Sequence, residues 1–489
     1  IAVIGDGAFT SGLAFEGANN AARFGDNLIV ILNDNKMSIS KNVGSFSKYL
    51  SKIRARPAYF RTKDRVESIC NHLPLIGKPL NQLLVWLKTT MKTVVYGSNW
   101  FEDMGFCYLG PIDGHNMETL CDVLQRAKNL HRPVFLHIET QKGKGYSYAE
   151  ENPGEYHGTS GFDIDTGKSF SSASTNFSNE FGLYLTELAK RDERICAITA
   201  AMKYGTGLNH FSRAFGQQGR FFDVGIAEPH AVTFAGGLAA NGMLPVFAVY
   251  SSFLQRCYDQ IIHDLSIERQ HVVIGIDRAG IVGSDGETHQ GLFDVAMLSS
   301  VPGITLYSPA TYEEMRCSLY KSLYEHTGVC CVRYPRGGES KLPAFDPQVP
   351  WAIEPKGAKP RLLLVTYGKL SAQAVQAAQT LSQQGVPTAV LKLLRLLPFC
   401  EEAVEQAMQA EYVLFAEEGI ESGGIGQMFG SRLLENGFQG HYRVLAVHDR
   451  FVEQATPDRA LALCGLDAQS MVQTCTQWMK EQQTEDFDR

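Results

Sequence analysis

Short apolar runs alternate with longer stretches of helical periodicity along the whole 489-residue chain. The runs at 1–5, 27–33 and 133–139, then 194–200, 221–227, 245–250 and 271–277, and last 361–367, 387–393, 411–416 and 442–447 have the length and composition of strands buried on both faces. Strand and helix in repetition predict parallel sheets covered by helices, an α/β fold. Two stretches break the rhythm and read as linkers. Residues 146–176 are rich in Gly, Ser, Asn and Asp, and 337–360 hold five prolines in their last 18 positions. They divide the chain into three parallel-sheet segments, 1–175, 176–350 and 351–489. Residues 41–100 fit this rhythm less well. There Lys52, Arg54, Arg56, Arg61, Lys63 and Arg65 surround Tyr59 and Phe60. That cluster reads as a solvated insertion rather than an anionic-ligand patch. The polar tail from Lys480 to Arg489 is expected to fray.

Composition narrows the class. A hydrophobic fraction of 44% and a charged fraction of 20% suit a globular chain with a large core. The net charge of −7 weighs against a general nucleic-acid binder. No apolar run has the length of a membrane span, and no signal peptide is visible. The 11 cysteines form no C-x-x-C pair. Buried, reduced thiols in a cytoplasmic protein fit that pattern best. The chain opens directly on a buried-type strand without an initiator Met, which reads as a fragment or a numbering from inside the gene.

The first chemistry sits in the first turn. Ile1-Ala2-Val3-Ile4-Gly5-Asp6-Gly7-Ala8 is a strand running into a Gly-Asp-Gly turn, and Thr10 and Ser11 are plausible helix starters. A second apolar run ends in Asn33-Asp34-Asn35. In a parallel sheet both tips lie on one edge, where ligands bind. Glycine lets backbone N–H donors approach a diphosphate closely. Asp6 and Asn35 offer oxygens to a hard cation such as Mg²⁺. Gly-Asp-Gly alone is more often ordinary turn chemistry; the second strand end tips the balance toward a metal–diphosphate clamp.

A second set of polar residues follows at later strand ends. Phe222-Asp223-Val224-Gly225-Ile226-Ala227-Glu228-Pro229-His230 places a carboxylate after an apolar strand, where capping and catalysis are equally natural roles. Tyr250, Phe253 and Arg256 come next, then Asp277-Arg278-Ala279-Gly280-Ile281-Val282-Gly283-Ser284-Asp285-Gly286-Glu287-Thr288-His289-Gln290-Gly291, then Arg333-Tyr334-Pro335-Arg336-Gly337. Arginine forks suit phosphate, and an Asp with a His on one Gly-rich loop suits orientation and proton transfer around a polyol. Any one such Arg is more often a surface ion pair; polar clusters at successive strand ends are harder to dismiss.

These residues resemble a known family. Gly5-Asp6-Gly7 with Asn35 is similar to the metal and diphosphate motif of thiamine-diphosphate enzymes of the transketolase type. Ile226-Ala227-Glu228 with His230 is similar to their pyrimidine-side segment. Asn33 through Ser40, Tyr250 through Arg256 and Asp277 through Gly291 resemble the 1-deoxy-D-xylulose-5-phosphate synthases of that family at nearly every position. The resemblance extends over the whole chain and implies diphosphate-binding (1–175, lacking its N-terminal part), pyrimidine-binding (176–350) and transketolase C-terminal (351–489) domains.

It also implies an activity: pyruvate and glyceraldehyde 3-phosphate are joined with loss of CO₂ to give 1-deoxy-D-xylulose 5-phosphate. That product opens non-mevalonate isoprenoid synthesis and is a precursor of thiamine. Thiamine diphosphate and Mg²⁺ would be the cofactors and a homodimer the assembly. By the same resemblance Asp6, Asn35 and the Met37 carbonyl would bind Mg²⁺, Gly7 and Ala8 would lie against the diphosphate, and Lys142 and Tyr146 would stand near the cofactor. Glu228 would hydrogen-bond the pyrimidine ring and Phe253 would stack on it. Arg278 and Arg336 would grip the aldehyde's phosphate, with Tyr250, Arg256, Asp285 and His289 around its hydroxyls, and His157 would reach the site. The family usually carries Gln where this chain has Pro229, and a proline in a first helical turn is tolerated. Two rivals stand beside this reading: another thiamine-diphosphate enzyme, such as a transketolase or a 2-oxo acid dehydrogenase subunit, and a non-catalytic truncated scaffold subunit.

Overall fold

The structure, a computed structural model, describes residues 1–24, 27–37, 44–54, 99–159, 161–170, 175–357 and 359–487. The chain forms two compact units, Ile1–Ser172 with Gly225–Ala227, and Ala173–Val224 with Glu228–Arg489.

The first unit is built on four parallel strands, β1 (Ala2–Gly5), β2 (Ile29–Asp34), β3 (Cys107–Asp113) and β4 (Val134–Glu139), in the order β1-β2-β4-β3. Its core is aromatic. Phe101 stacks on Phe135 with centroids 3.9 Å apart, and Phe9 packs against both. β3 is an addition to the strands expected from sequence. Gly110-Pro111 lies inside it and shifts its register against β4 between Leu109 and Ile112, which hides the strand's periodicity. The stretch expected as a first linker is a packed segment. It holds short helices at Ser147–Glu151 and Glu155–His157, and the Tyr146 ring meets Tyr148, Tyr156 and Phe162. Of the basic cluster, Lys52 is exposed on the helix Gly44–Arg54, and Arg56, Arg61, Lys63 and Arg65 lie outside the described residues.

The second unit holds two sheets. One contains β5 (Ile195–Thr199), β6 (Phe221–Asp223), β7 (Leu244–Tyr250), β8 (Val272–Asp277), β9 (Thr305–Tyr307) and β10 (Val329–Arg333). The other contains β11 (Trp351–Glu354), β12 (Leu362–Tyr367), β13 (Thr388–Leu393), β15 (Tyr412–Ile420) and β16 (His441–Val447) in the order β11-β13-β12-β15-β16. The strand β14 (Arg395–Leu397) leaves this last sheet and pairs antiparallel with β9, so the first sheet runs β14-β9-β10-β8-β7-β5-β6. Apart from β14 and the antiparallel β11, the described strands of the unit pair in parallel. β6 stops at Asp223 rather than 227, and Gly225 takes a positive φ of 73° just beyond it. Of the polar tail expected to fray, the described residues up to Phe487 continue the helix Ala468–Phe487. Among the described residues no helix is long and apolar enough to cross a membrane, and all ten described cysteines are free.

Candidate active site

In the first unit, parallel strands bring the ends of β1 and β2 to one edge, and Asp6 and Asp34 meet there, both buried. Asp6 accepts the Lys36 N–H at 2.9 Å, and Asp34 accepts the same N–H at 3.2 Å. Lys36 adopts a left-handed φ of 66°, which turns the chain so that the Asn35 amide oxygen accepts the Met37 N–H at 3.0 Å. Burial, and then the neighbouring Asp34 carboxylate, push the Asp6 pKa up to about 7. Two buried carboxylates in contact carry a crowding of negative charge that a small hard cation would relieve, so the residues present fit Mg²⁺. Thr10 serves the turn differently than expected: its hydroxyl donates to the Gly7 carbonyl at 2.7 Å.

Asp34 is itself fixed from behind. Its carboxylate lies 3.0 Å from His137 Nε2, and the other ring nitrogen of His137 lies 2.8 Å from the Tyr108 hydroxyl. Sequence reasoning missed this network, because it joins three strands through residues far apart in the chain. Lys142 Nζ and His157 Nδ1 meet at 2.8 Å. Burial lowers the pKa of both, and the Lys142 charge lowers that of His157 further. The Tyr146 hydroxyl donates to the Ile164 carbonyl at 2.9 Å.

In the second unit the order β10-β8-β7-β5-β6 puts the ends of consecutive strands side by side, and the polar clusters read from sequence gather on that edge. Glu228 opens the helix Glu228–Ala240 with Pro229 in its first turn and is 2% exposed. Burial raises its pKa above the usual carboxylate range, and Arg256 opposes the shift. Arg256, expected beside substrate hydroxyls, forms an ion pair with Glu228 at 2.7 Å. Phe253 stacks on Tyr250 with centroids 5.7 Å apart and meets the His289 ring edge-on at 5.3 Å. The Arg278 guanidinium lies 3.9 Å from the Tyr250 ring centroid. It also donates to Asp277 at 2.8 Å and to the Gly205 carbonyl at 2.7 Å. Gly205 is needed there, since a Cβ would fall 1.7 Å from the Tyr250 hydroxyl. Arg336 pairs with Asp285 at 2.8 Å and donates to Ser284 Oγ at 2.7 Å. The two arginines of the Arg333–Gly337 run therefore divide: Arg333 is buried against Asp294, and Arg336 is half-buried beside the loop.

Family models match residues 1–140 as "1-deoxy-D-xylulose-5-phosphate synthase", 173–338 as "Transketolase, pyrimidine binding domain" and 352–471 as "Transketolase, C-terminal domain". Among solved structures, a split-gene transketolase in an inactive β4 tetramer superposes with a TM-score of 0.54 at 26% identity, covering 62% of this chain and 98% of its own. The transketolase of Campylobacter jejuni gives 0.54 at 15% identity over 97% of this chain and 76% of its own. Fold and site thus define an α/β enzyme of the transketolase class, a transferase. The 1-deoxy-D-xylulose-5-phosphate synthase of Caldanaerobacter subterraneus is 43% identical over 98% of this chain and 77% of its own length. The chain belongs to the 1-deoxy-D-xylulose-5-phosphate synthase family.

Proposed function

We propose that the chain performs its family's reaction, the thiamine-diphosphate-dependent joining of pyruvate to glyceraldehyde 3-phosphate with loss of CO₂, through the residues placed above. The observation that carries this reading is the gathering of Glu228, Phe253, Tyr250, Arg278 and His289 on one sheet edge, with Arg336 and Asp285 paired beside them. When bound, the cofactor supplies the carbon centre at which the 2-oxo acid loses CO₂ and from which its two-carbon unit is passed on. Asp6, Asn35 and the Met37 carbonyl would hold Mg²⁺, and Gly7 and Ala8 would lie against the diphosphate. Lys142, Tyr146 and His157 would face the cofactor and substrate from their own segment. Glu228 would hold a proton at a pyrimidine ring nitrogen, with Phe253 stacked on that ring. Tyr250, Arg256, Asp285 and His289 would surround the substrate hydroxyls, with Arg278 and Arg336 at its phosphate. We further read 1–175, 176–350 and 351–489 as the diphosphate, pyrimidine and C-terminal segments. The assembly we propose is a cytoplasmic homodimer serving isoprenoid and thiamine synthesis; free, buried thiols support a reducing compartment.

The direct test measures CO₂ released from pyruvate with and without glyceraldehyde 3-phosphate and identifies the product. Formation of 1-deoxy-D-xylulose 5-phosphate is expected; sugar-phosphate exchange without pyruvate would instead make the chain a transketolase. The phosphate role is tested by Arg336→Ala. Losing one charged anchor should raise the KM for the aldehyde by about ten- to a hundred-fold and leave that for pyruvate in place. A change confined to pyruvate refutes the assignment. The metal role has a readout without turnover. Mg²⁺ and thiamine diphosphate together, at roughly a hundred times their dissociation constant, should stabilise the protein by about 2.7 kcal/mol. Asp6→Ala should abolish that rise in melting temperature, and an undiminished rise would remove Asp6 from the site.

A further inference from the structure

The segment from Arg278 to Gly291 carries Arg278, Asp285 and His289, yet it has little regular structure of its own. It contains one short helical turn, Glu287–His289, and one bridge, between Gly280 and Gly291. Much of its support comes from the last third of the chain. The Glu418 carboxylate, in β15, accepts the Ile281 N–H at 2.9 Å. Gln290, 3% exposed, folds back across the loop: its Oε1 accepts the Val282 N–H at 2.8 Å and its Nε2 donates to the Val452 carbonyl at 3.2 Å. Gln454, exposed on the segment after β16, donates from Nε2 to the Ser284 carbonyl at 2.9 Å.

The loop glycines leave no slack against these partners. At Gly283, with φ +73°, an added Cβ would lie 2.8 Å from both the Ala455 carbonyl oxygen and the Pro457 nitrogen. At Gly280, with φ +79°, it would lie 2.3 Å from Glu418 Oε2. Both positions need glycine for conformation and for room.

We propose that Glu418 and the segment 452–457 form a clamp that sets this loop for the phosphorylated end of the aldehyde, with Gln454 as its exposed positioning residue. The route is short. Ser284 is held on both sides, its carbonyl by Gln454 and its hydroxyl by Arg336, and the next residue, Asp285, is the ion-pair partner of the same Arg336. A shift at Gln454 therefore reaches the Arg336 guanidinium through one residue. The inference rests on the phosphate reading of Arg336.

The experiment compares Gln454→Ala with Arg336→Ala in the full chain. Gln454 is exposed, so its truncation leaves the core untouched. Gln454→Ala should raise the KM for glyceraldehyde 3-phosphate roughly three- to ten-fold, as expected for one lost hydrogen bond, with kcat and the pyruvate KM within about two-fold of wild type. Unphosphorylated glyceraldehyde should be used equally well by variant and wild type, and amide hydrogen exchange over 282–287 should accelerate. A KM that rises in Arg336→Ala but not in Gln454→Ala overturns the clamp and leaves the phosphate reading standing. Unchanged exchange in Gln454→Ala also overturns it. Unchanged aldehyde KM in both variants overturns the phosphate reading and the clamp's role together.

Discussion

Glu228→Ala is expected to lower turnover by about 10²–10⁴-fold while leaving the fold intact, the range lost when a positioned proton-transfer group is removed. The argument starts from burial. Glu228 is 2% exposed at the head of a helix, and desolvation favours its neutral form. The Arg256 guanidinium 2.7 Å away pulls the other way and keeps the charged form within reach. A carboxyl balanced between the two can share a proton with a ring nitrogen, which a carboxyl fully exposed to water does less well. The fold should tolerate the loss, because the side chain of the partner Arg256 is 35% exposed and can turn to water. Steady-state CO₂ release, with circular dichroism to check folding, decides the matter. Undiminished activity with both substrates sinks the assignment.

The sequence made the strands legible where burial on both faces leaves a continuous apolar run, as in β5, β8 and β12. It failed where that signal is broken. β11 lies in a proline-rich stretch and looks like a linker; β9 and β14, at three residues each, are too short to show a pattern. β10, at Val329–Arg333, is missing from the expected runs because its apolar stretch is only four residues long before Arg333. The site was readable for one reason: in a parallel sheet, residues just past strand ends share an edge, so Glu228, Tyr250, Arg278 and Arg336 could be grouped from their places alone. What could not be read were the partners. Nothing in the spacing of Glu228 and Arg256 says that they pair, and neither His137 behind Asp34 nor Gln454 beneath Ser284 has a local signal. Such contacts depend on how distant segments pack.

The largest effect on stability is expected at Asp294→Ala, which should destabilise the second unit by about 3–5 kcal/mol, the cost of leaving a buried charge without its partner. Arg333, at the end of β10, is 3% exposed. Its Nε and Nη2 donate to the two carboxylate oxygens of Asp294 at 2.9 and 3.3 Å, its Nη1 donates to Ser308 at 3.2 Å, and its guanidinium lies 5.3 Å from the Tyr367 ring centroid. One side chain thus ties β10 to the helix Asp294–Ser299, to the chain after β9 and to the end of β12. Asp294→Asn should cost less, because an acceptor remains while the charge is lost. Replacing both partners, Asp294→Leu with Arg333→Met, should recover most of the loss, since removing a buried pair together removes its desolvation cost as well. Urea unfolding of the three variants checks this ordering. If Asp294→Ala unfolds at the wild-type midpoint, or the double variant is weaker than the single, the pair does not hold these strands together. Arg336 lies three residues beyond Arg333, so aldehyde KM measured on the folded double variant separates the two roles: a structural Arg333 leaves it near the wild-type value.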